Sequence, residues 1–139
     1  MEKLITNTFV TVADDCAAPA GVTPQPKAGR ETVASLEYAL LSARPYKLTL
    51  DDLKFEVHLA RTGISPAERA ARGAGIRAAL FSKPQACMRA SPLTKSYGWG
   101  AHYDDKGRLA IYARDSKDYA RLATSPKLSV VKAMRGKRA

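Results

Sequence analysis

Hydrophobic positions recur along most of the chain, and their spacing predicts both strands and helices. Residues 4–12 are rich in Thr, Val, Ile and Phe, which suit a half-buried strand. Residues 31–44 place apolar side chains at helical spacing and are followed by Pro45, which ends a helix. The segment TLDD then predicts a single capped helical turn. Residues 54–61, KFEVHLAR, alternate strictly between apolar and polar side chains, which predicts a strand with one wet face.

The second half of the chain adds two helices and a last strand to this pattern. Residues 65–81 open with a capping box and predict a helix that two internal glycines bend or divide. Residues 115–123 predict a short helix capped by Asp115, and residues 128–134 predict the last strand. Short connections dominate, so the predicted fold class is α+β. We expect one domain over residues 1–139, with an antiparallel sheet of about 4–6 strands and helices packed on one face.

A β-hairpin is predicted around the turn tetrad DDKG, residues 104–107. Closing the hairpin there places Asp104 opposite Arg108, and directly opposed residues share a face. The face predicted to join the core carries Trp99, Ala101, Tyr103, Leu109, Ile111 and Ala113. The other face carries Gly98, Gly100, His102, Ala110 and Tyr112.

This second face of the hairpin is nearly bare and is a candidate binding surface. Glycines within a strand often mark a place where another group approaches closely. The group that approaches Gly98 and Gly100 is either a ligand, contacting His102 and Tyr112, or a helix of the same protein. Tyr112 covering Gly100 is a further alternative.

The hairpin is preceded by a helix start that suits an anion. Ser91 is a capping residue and is followed by proline, so unpaired backbone N–H groups are displayed there. Arg89, Thr94 and Lys95 lie close to it in the sequence and add positive charge and a hydroxyl. We therefore include these four residues in the candidate ligand site.

Positive charge is concentrated in the same half of the chain. Residues 1–79 carry 10 Lys or Arg and 9 Asp or Glu, a balance of +1. Residues 80–139 carry 13 Lys or Arg and 4 Asp, a balance of +9, and include a basic tail at 135–139. This asymmetry favours an anionic partner: a nucleotide, a phosphorylated small molecule, a nucleic acid or an acidic protein. A solvated basic surface that aids solubility has the same composition.

Catalytic candidates are few. Cys87 lies between basic residues that favour its thiolate, and His102 is a candidate base for it. A small buried hydrophobe is the commoner role of such a cysteine. Cys16, His58, Cys87 and His102 match no zinc spacing, so no metal is predicted, and no cofactor motif is present.

Other features bound the location and shape of the protein. Residues 16–29 contain three prolines and two glycines and predict a surface loop. No apolar run approaches the roughly 18 residues of a membrane helix, and the opening segment lacks the features of a signal peptide. The expected location is the cytoplasm, and either a monomer or a homodimer fits the residues.

Several segments together resemble a family of small, mostly bacterial proteins known as a domain of unknown function. The segments are NTF near the start, YKLT, DDL and FEVH in the middle, and SPLTK, YGWG and the following His in the hairpin region. The resemblance extends from Asn7 to about Arg138 and implies a single-domain protein. It transfers no catalytic residue.

The residues therefore favour a binding domain for an anionic ligand over an enzyme. One alternative is a thiol-dependent enzyme with Cys87 as nucleophile and His102 as base. Another is a structural or interaction protein without a small-molecule ligand.

Overall fold

The computed structural model of the protein describes residues 4–136. The end of the predicted basic tail, residues 137–139, lies outside the described residues. Within 4–136 the chain forms five α-helices and four β-strands. The helices are α1 Val33–Ala43, α2 Leu50–Thr62, α3 Pro66–Phe81, α4 Pro92–Lys95 and α5 Lys117–Ala123; the strands are β1 Thr8–Thr11, β2 Trp99–Tyr103, β3 Leu109–Ala113 and β4 Ser129–Lys132.

The four strands form one sheet in the order β3-β2-β1-β4. Strands β3, β2 and β1 pair antiparallel, whereas β1 pairs with β4 in parallel. The α+β class and the single small domain are confirmed. The sheet is mixed rather than fully antiparallel, because β4 returns from α5 to the outer edge of β1.

The hairpin β2–β3 has the predicted register at every pair from Trp99↔Ala113 to Tyr103↔Leu109. Its turn is closed by Gly107 in the left-handed region, with φ of 77°. The carboxylate of Asp104 accepts hydrogen bonds from the backbone N–H groups of Lys106 (2.9 Å) and Arg108 (2.8 Å). These bonds lower the pKa of Asp104 despite the opposing effect of burial.

The two faces of the sheet are covered differently. Val10, Ala101, Tyr103 and Leu109 point into the main core, which also contains residues of α1, α2 and α4. Phe9 lies on the opposite face, where its ring meets Tyr119 of α5 edge-on with the centroids 5.2 Å apart. Helices therefore lie on both faces, which corrects the predicted one-sided arrangement.

The segment predicted as a strand at 54–61 is part of helix α2, and that prediction is wrong. The Thr49 side chain accepts a hydrogen bond from the Asp52 N–H, and Asp52 accepts one from the Thr49 N–H, so the helix starts firmly. It ends at Gly63 in the left-handed conformation.

The misleading alternation arises because α2 is buried on two sides. Leu53 and Val57, four residues apart, belong to the main core. Phe55 points away from them toward α3, since residues two apart on a helix differ by about 200° in direction. There it lies under the guanidinium groups of Arg69 and Arg77, at 5.5 and 5.2 Å.

The three other predicted helices, over residues 31–44, 65–81 and 115–123, are present as α1, α3 and α5, with one change of cap. Helix α3 runs unbroken past its glycines, and its N-cap is Ser65, whose hydroxyl accepts the Glu68 N–H at 3.1 Å. The N-cap of α5 is Ser116 rather than Asp115, because the Ser116 hydroxyl accepts the Tyr119 N–H. None of the helices in the described part of the chain is long and apolar enough to cross a membrane.

Candidate functional site

Helix α2 presents a stripe of basic side chains along one side. Lys54, His58 and Arg61 are four and three residues apart, so they lie one above the other on the helix surface. All three side chains border the same cavity, which has a volume of about 430 Å³. We call this the basic cavity; its lining residues are Val33, Glu37, Lys54, Val57, His58, Arg61, Thr62, Leu80 and Gln85.

The inner wall of the basic cavity contains a buried carboxyl group. Glu37 of α1 has 1% of its surface exposed, and its Oε1 accepts a hydrogen bond of 2.6 Å from the Ser91 hydroxyl. Its Oε2 lies 3.7 Å from the Lys54 Nζ. Burial raises the pKa of Glu37, while the Ser91 hydrogen bond and the Lys54 charge act in the opposite direction.

The electrostatic balance of the basic cavity is positive. Glu37 is the only acidic residue in its lining, and Lys54 offsets that charge. Among residues 4–136, Arg61 forms no ion pair within 4.0 Å, although Glu31 lines a neighbouring cavity with it. His58 adds an imidazole to the same wall. The cavity therefore offers hydrogen-bond donors and an uncompensated positive charge to a small anion.

The predicted anion seat at Ser91 uses its polar groups internally. The Ser91 hydroxyl accepts the Leu93 N–H at 3.1 Å in addition to donating to Glu37. The Thr94 hydroxyl is fully buried and donates to the Met88 carbonyl at 2.6 Å. Neither hydroxyl is available to an anion, because each donates a hydrogen bond that connects α4 to a neighbouring segment.

The two basic residues predicted beside Ser91 lie nearer the surface. The Nε of Arg89 donates to the Lys132 carbonyl at 2.8 Å, which ties this segment to β4. Lys95 is the last residue of α4 and is half-buried. Neither residue lines the basic cavity.

Gly98 and Gly100 are explained by close packing within the protein, which corrects the expectation that they leave room for a ligand. A Cβ on Gly100 would lie 2.5 Å from the Phe9 ring and 2.7 Å from the Tyr119 ring. Gly98 has φ of 80°, and a Cβ there would meet the carbonyl of Ala20 from the surface loop. Of the alternatives for this face, a helix of the same protein accounts for Gly100.

His102 and Tyr112 belong to a hydrogen-bonded cluster that includes Tyr46. The Tyr46 hydroxyl lies 2.7 Å from the His102 Nδ1 and 2.6 Å from the Tyr112 hydroxyl. Burial lowers the pKa of His102 and raises the pKa of Tyr46, so the neutral forms are favoured. These hydrogen bonds join the loop after α1 to the hairpin.

The structure does not bring Cys87 and His102 together. Successive residues of a strand point to opposite faces, and Cys87 lies on the side of Tyr103. Cys87 and Tyr103 both line a cavity of about 90 Å³, and the Tyr103 hydroxyl accepts the Met88 N–H at 3.1 Å. The thiol-dependent alternative therefore lacks its predicted base. Among residues 4–136, no three His, Cys, Asp or Glu side chains are grouped as metal ligands.

The sequence pattern does not indicate the basic cavity, because the alternation over residues 54–61 predicts a strand where the structure has helix α2. On a strand, Lys54 and His58 share a solvent face with Glu56, and Arg61 points to the other side. The capping box at Thr49 and the glycine at position 63 are the signals of a helix over this segment.

Fold and site together define a single-domain α+β protein with an open basic cavity lined mainly by residues of α1, α2 and α3. The chain belongs to the family described as "Family of unknown function (DUF6157)", whose model matches residues 2–139. The resemblance to a domain of unknown function is thereby confirmed. No curated protein matches the chain, and no solved structure does.

Proposed function

We propose that the protein binds a small anionic molecule in the basic cavity. The observation that supports this most directly is the stripe of Lys54, His58 and Arg61 along one wall of a cavity of about 430 Å³. A cavity of this size suits a small molecule. Lys54 partly offsets the negative charge of Glu37. Arg61 and His58 are therefore available to hold the anion.

The position of the cations favours a small molecule over a nucleic acid. A nucleic-acid site needs positive charge spread along an extended surface that follows the phosphate backbone. Here the three side chains come from one helix and converge on one cavity. The net charge of +10 still helps by attracting anions to the protein as a whole.

Inorganic phosphate is a suitable first probe, with ionic strength held constant by chloride. At ten times its Kd, a ligand stabilises the folded protein by about 1.4 kcal/mol, which raises the Tm by about 4 °C. We expect Arg61→Gln to weaken phosphate binding about tenfold, because a charge-assisted hydrogen bond is lost.

Lys106→Gln is the matched control, since it removes one positive charge at the exposed hairpin turn. Thermal shift and calorimetry should give this variant the affinity of the wild type. Equal phosphate binding by Arg61→Gln and Lys106→Gln would contradict the proposal. A fluorescein-labelled single-stranded oligonucleotide that binds more tightly than phosphate, and that both variants weaken equally, would assign the function to nucleic acid instead.

A further inference from the structure

We infer that the anion is the head group of an amphiphile, whose apolar chain lies in a groove between α2 and α3. This inference rests on the proposed function of the basic cavity. The groove has a volume of about 860 Å³. We call it the apolar groove; its apolar lining residues are Ile64, Ala71, Gly75, Ile76, Ala79 and Leu80, and its polar ones are His58, Thr62, Arg72, Lys83 and Gln85.

Helix α3 has its apolar side chains covered only in part. It has 16 residues, and none of them is buried. Ile76 and Leu80 are only half-buried, although side chains of this kind normally enter a core. The apolar groove is where they meet α2.

Polar contacts hold α3 beside α2. Arg69 donates to both carboxylate oxygens of Glu56, at 3.0 and 2.7 Å, and Arg77 donates to Asp52 at 3.1 Å. Both guanidinium groups also lie over the Phe55 ring. These contacts fix α3 beside α2, and the residues that make them do not line the apolar groove.

The apolar groove and the basic cavity adjoin one another. Four residues line both of them: His58, Thr62, Leu80 and Gln85. A ligand whose anionic group lies at His58 and Arg61 can therefore lay its apolar chain across Leu80 into the groove. A shared boundary of this kind is what an amphiphile requires, with a polar head and an apolar body held in adjoining spaces.

The charges around the apolar groove favour an anionic amphiphile over a second copy of the chain. Arg72 and Lys83 line it, and no acidic residue does. Arg72 is 3.8 Å from Glu68, whereas Lys83 has no acidic partner among residues 4–136. Two copies that each carry a net charge of +10 repel one another.

A chain-length series of carboxylates tests the inference directly. Acetate, hexanoate, octanoate and decanoate have the same head group and differ only in the apolar chain. Calorimetry should show affinity rising along the series by up to about fourfold for each methylene that becomes buried. The sodium salts are used below their micelle-forming concentrations.

Gly75→Leu fills the apolar groove without disturbing the basic cavity. A Cβ at Gly75 meets no atom within 4 Å, and leucine is the better helix former, so the variant should fold. We expect it to bind phosphate like the wild type and to lose the dependence on chain length. Gly73→Leu is the matched control, because Gly73 is on the same helix and does not line the groove. Circular dichroism checks the folding of both variants.

The possible results separate the inference from the proposed function. Phosphate binding that depends on Arg61, with equal affinity from acetate to decanoate, would overturn the inference alone. No binding of phosphate or of any carboxylate would overturn both. If affinity depends on chain length equally in Gly75→Leu and the wild type, the apolar chain of the ligand lies outside the groove, and the inference is overturned. Concentration-dependent dimers that Gly75→Leu disrupts, without any effect of decanoate, would assign the groove to a second copy.

Discussion

The hairpin β2–β3 and the basic cavity use polar side chains in opposite ways. In the hairpin, His102 and Tyr112 are hydrogen-bonded to Tyr46, and aromatic rings from β1 and α5 fill the space beside Gly100. In the cavity, His58 and Arg61 border open space. A functional site is therefore indicated less well by unusual residue types than by polar groups whose hydrogen-bonding capacity is not used within the fold.

The strongest test of this difference is to place a side chain in the filled face of the hairpin. Gly100→Val would drive its Cβ into Phe9 and Tyr119, at 2.5 and 2.7 Å, and force α5 away from the sheet. We expect a loss of about 3 kcal/mol of unfolding free energy by urea denaturation. Gly75→Ala is the control in an open position and should gain about 0.8 kcal/mol. A variant at position 100 as stable as the wild type would show that this face has room for a ligand after all.

The buried carboxyl of the cavity should matter less for stability but more for ligand affinity. Glu37→Ala leaves the buried Ser91 hydroxyl without its acceptor and should cost about 2 kcal/mol. Glu37→Gln keeps an acceptor for Ser91 and removes a negative charge, so it should be more stable than Glu37→Ala and bind phosphate more tightly than the wild type. Weaker phosphate binding by Glu37→Gln would mean that the anion site is not next to this residue.

The same residue predicts a pH dependence of stability. The pKa of Glu37 is raised from 4.5, so the folded state binds this proton more tightly than the unfolded chain does. Its contribution to stability is complete below pH 4.5 and is lost as pH rises through the folded pKa. Urea midpoints across this range should fall for the wild type relative to Glu37→Gln. Parallel curves for the two proteins would exclude a raised pKa.

The smallest effect is expected at His102. His102→Gln loses the hydrogen bond with Tyr46 and should cost about 0.5–1 kcal/mol at neutral pH. Because burial lowers the His102 pKa from 6.5, the unfolded chain binds the proton more tightly, and stability falls as pH drops below 6.5. Arg121 adds to the lowering and Asp104 opposes it. The variant should lose this acid-side decline; an unchanged decline would assign it to other groups.

Local signals in the sequence predicted the hairpin well. The DDKG turn and the alternation on each side set every pair from Trp99 to Ala113. The cap at Ser65 likewise marked the start of α3, because the Ser–Pro start and the glutamate three residues later need no distant partner.

The rest depended on contacts between distant segments. The alternation in α2 looks like a strand because Phe55 is covered by α3 and Val57 by the core, and neither contact is visible locally. The candidate site was missed for the same reason, since the basic stripe exists only on a helix. Gly100 was recognised as a close approach, but the Tyr119 ring that fills it comes from a helix after the hairpin.

The parallel pairing of β1 with β4 has a consequence for how the chain assembles. Phe9 is registered with Val130, so the two strands that meet at this edge are separated by nearly the whole chain. Contacts of such long range form late, because the cost of closing the intervening loop must be met first. During synthesis β1 can pair with β2, but the outer edge of β1 remains unpaired until β4 has been synthesised. Until then that edge is an exposed template for other strands, so a chain cut short before β4 should aggregate rather than merely lose stability.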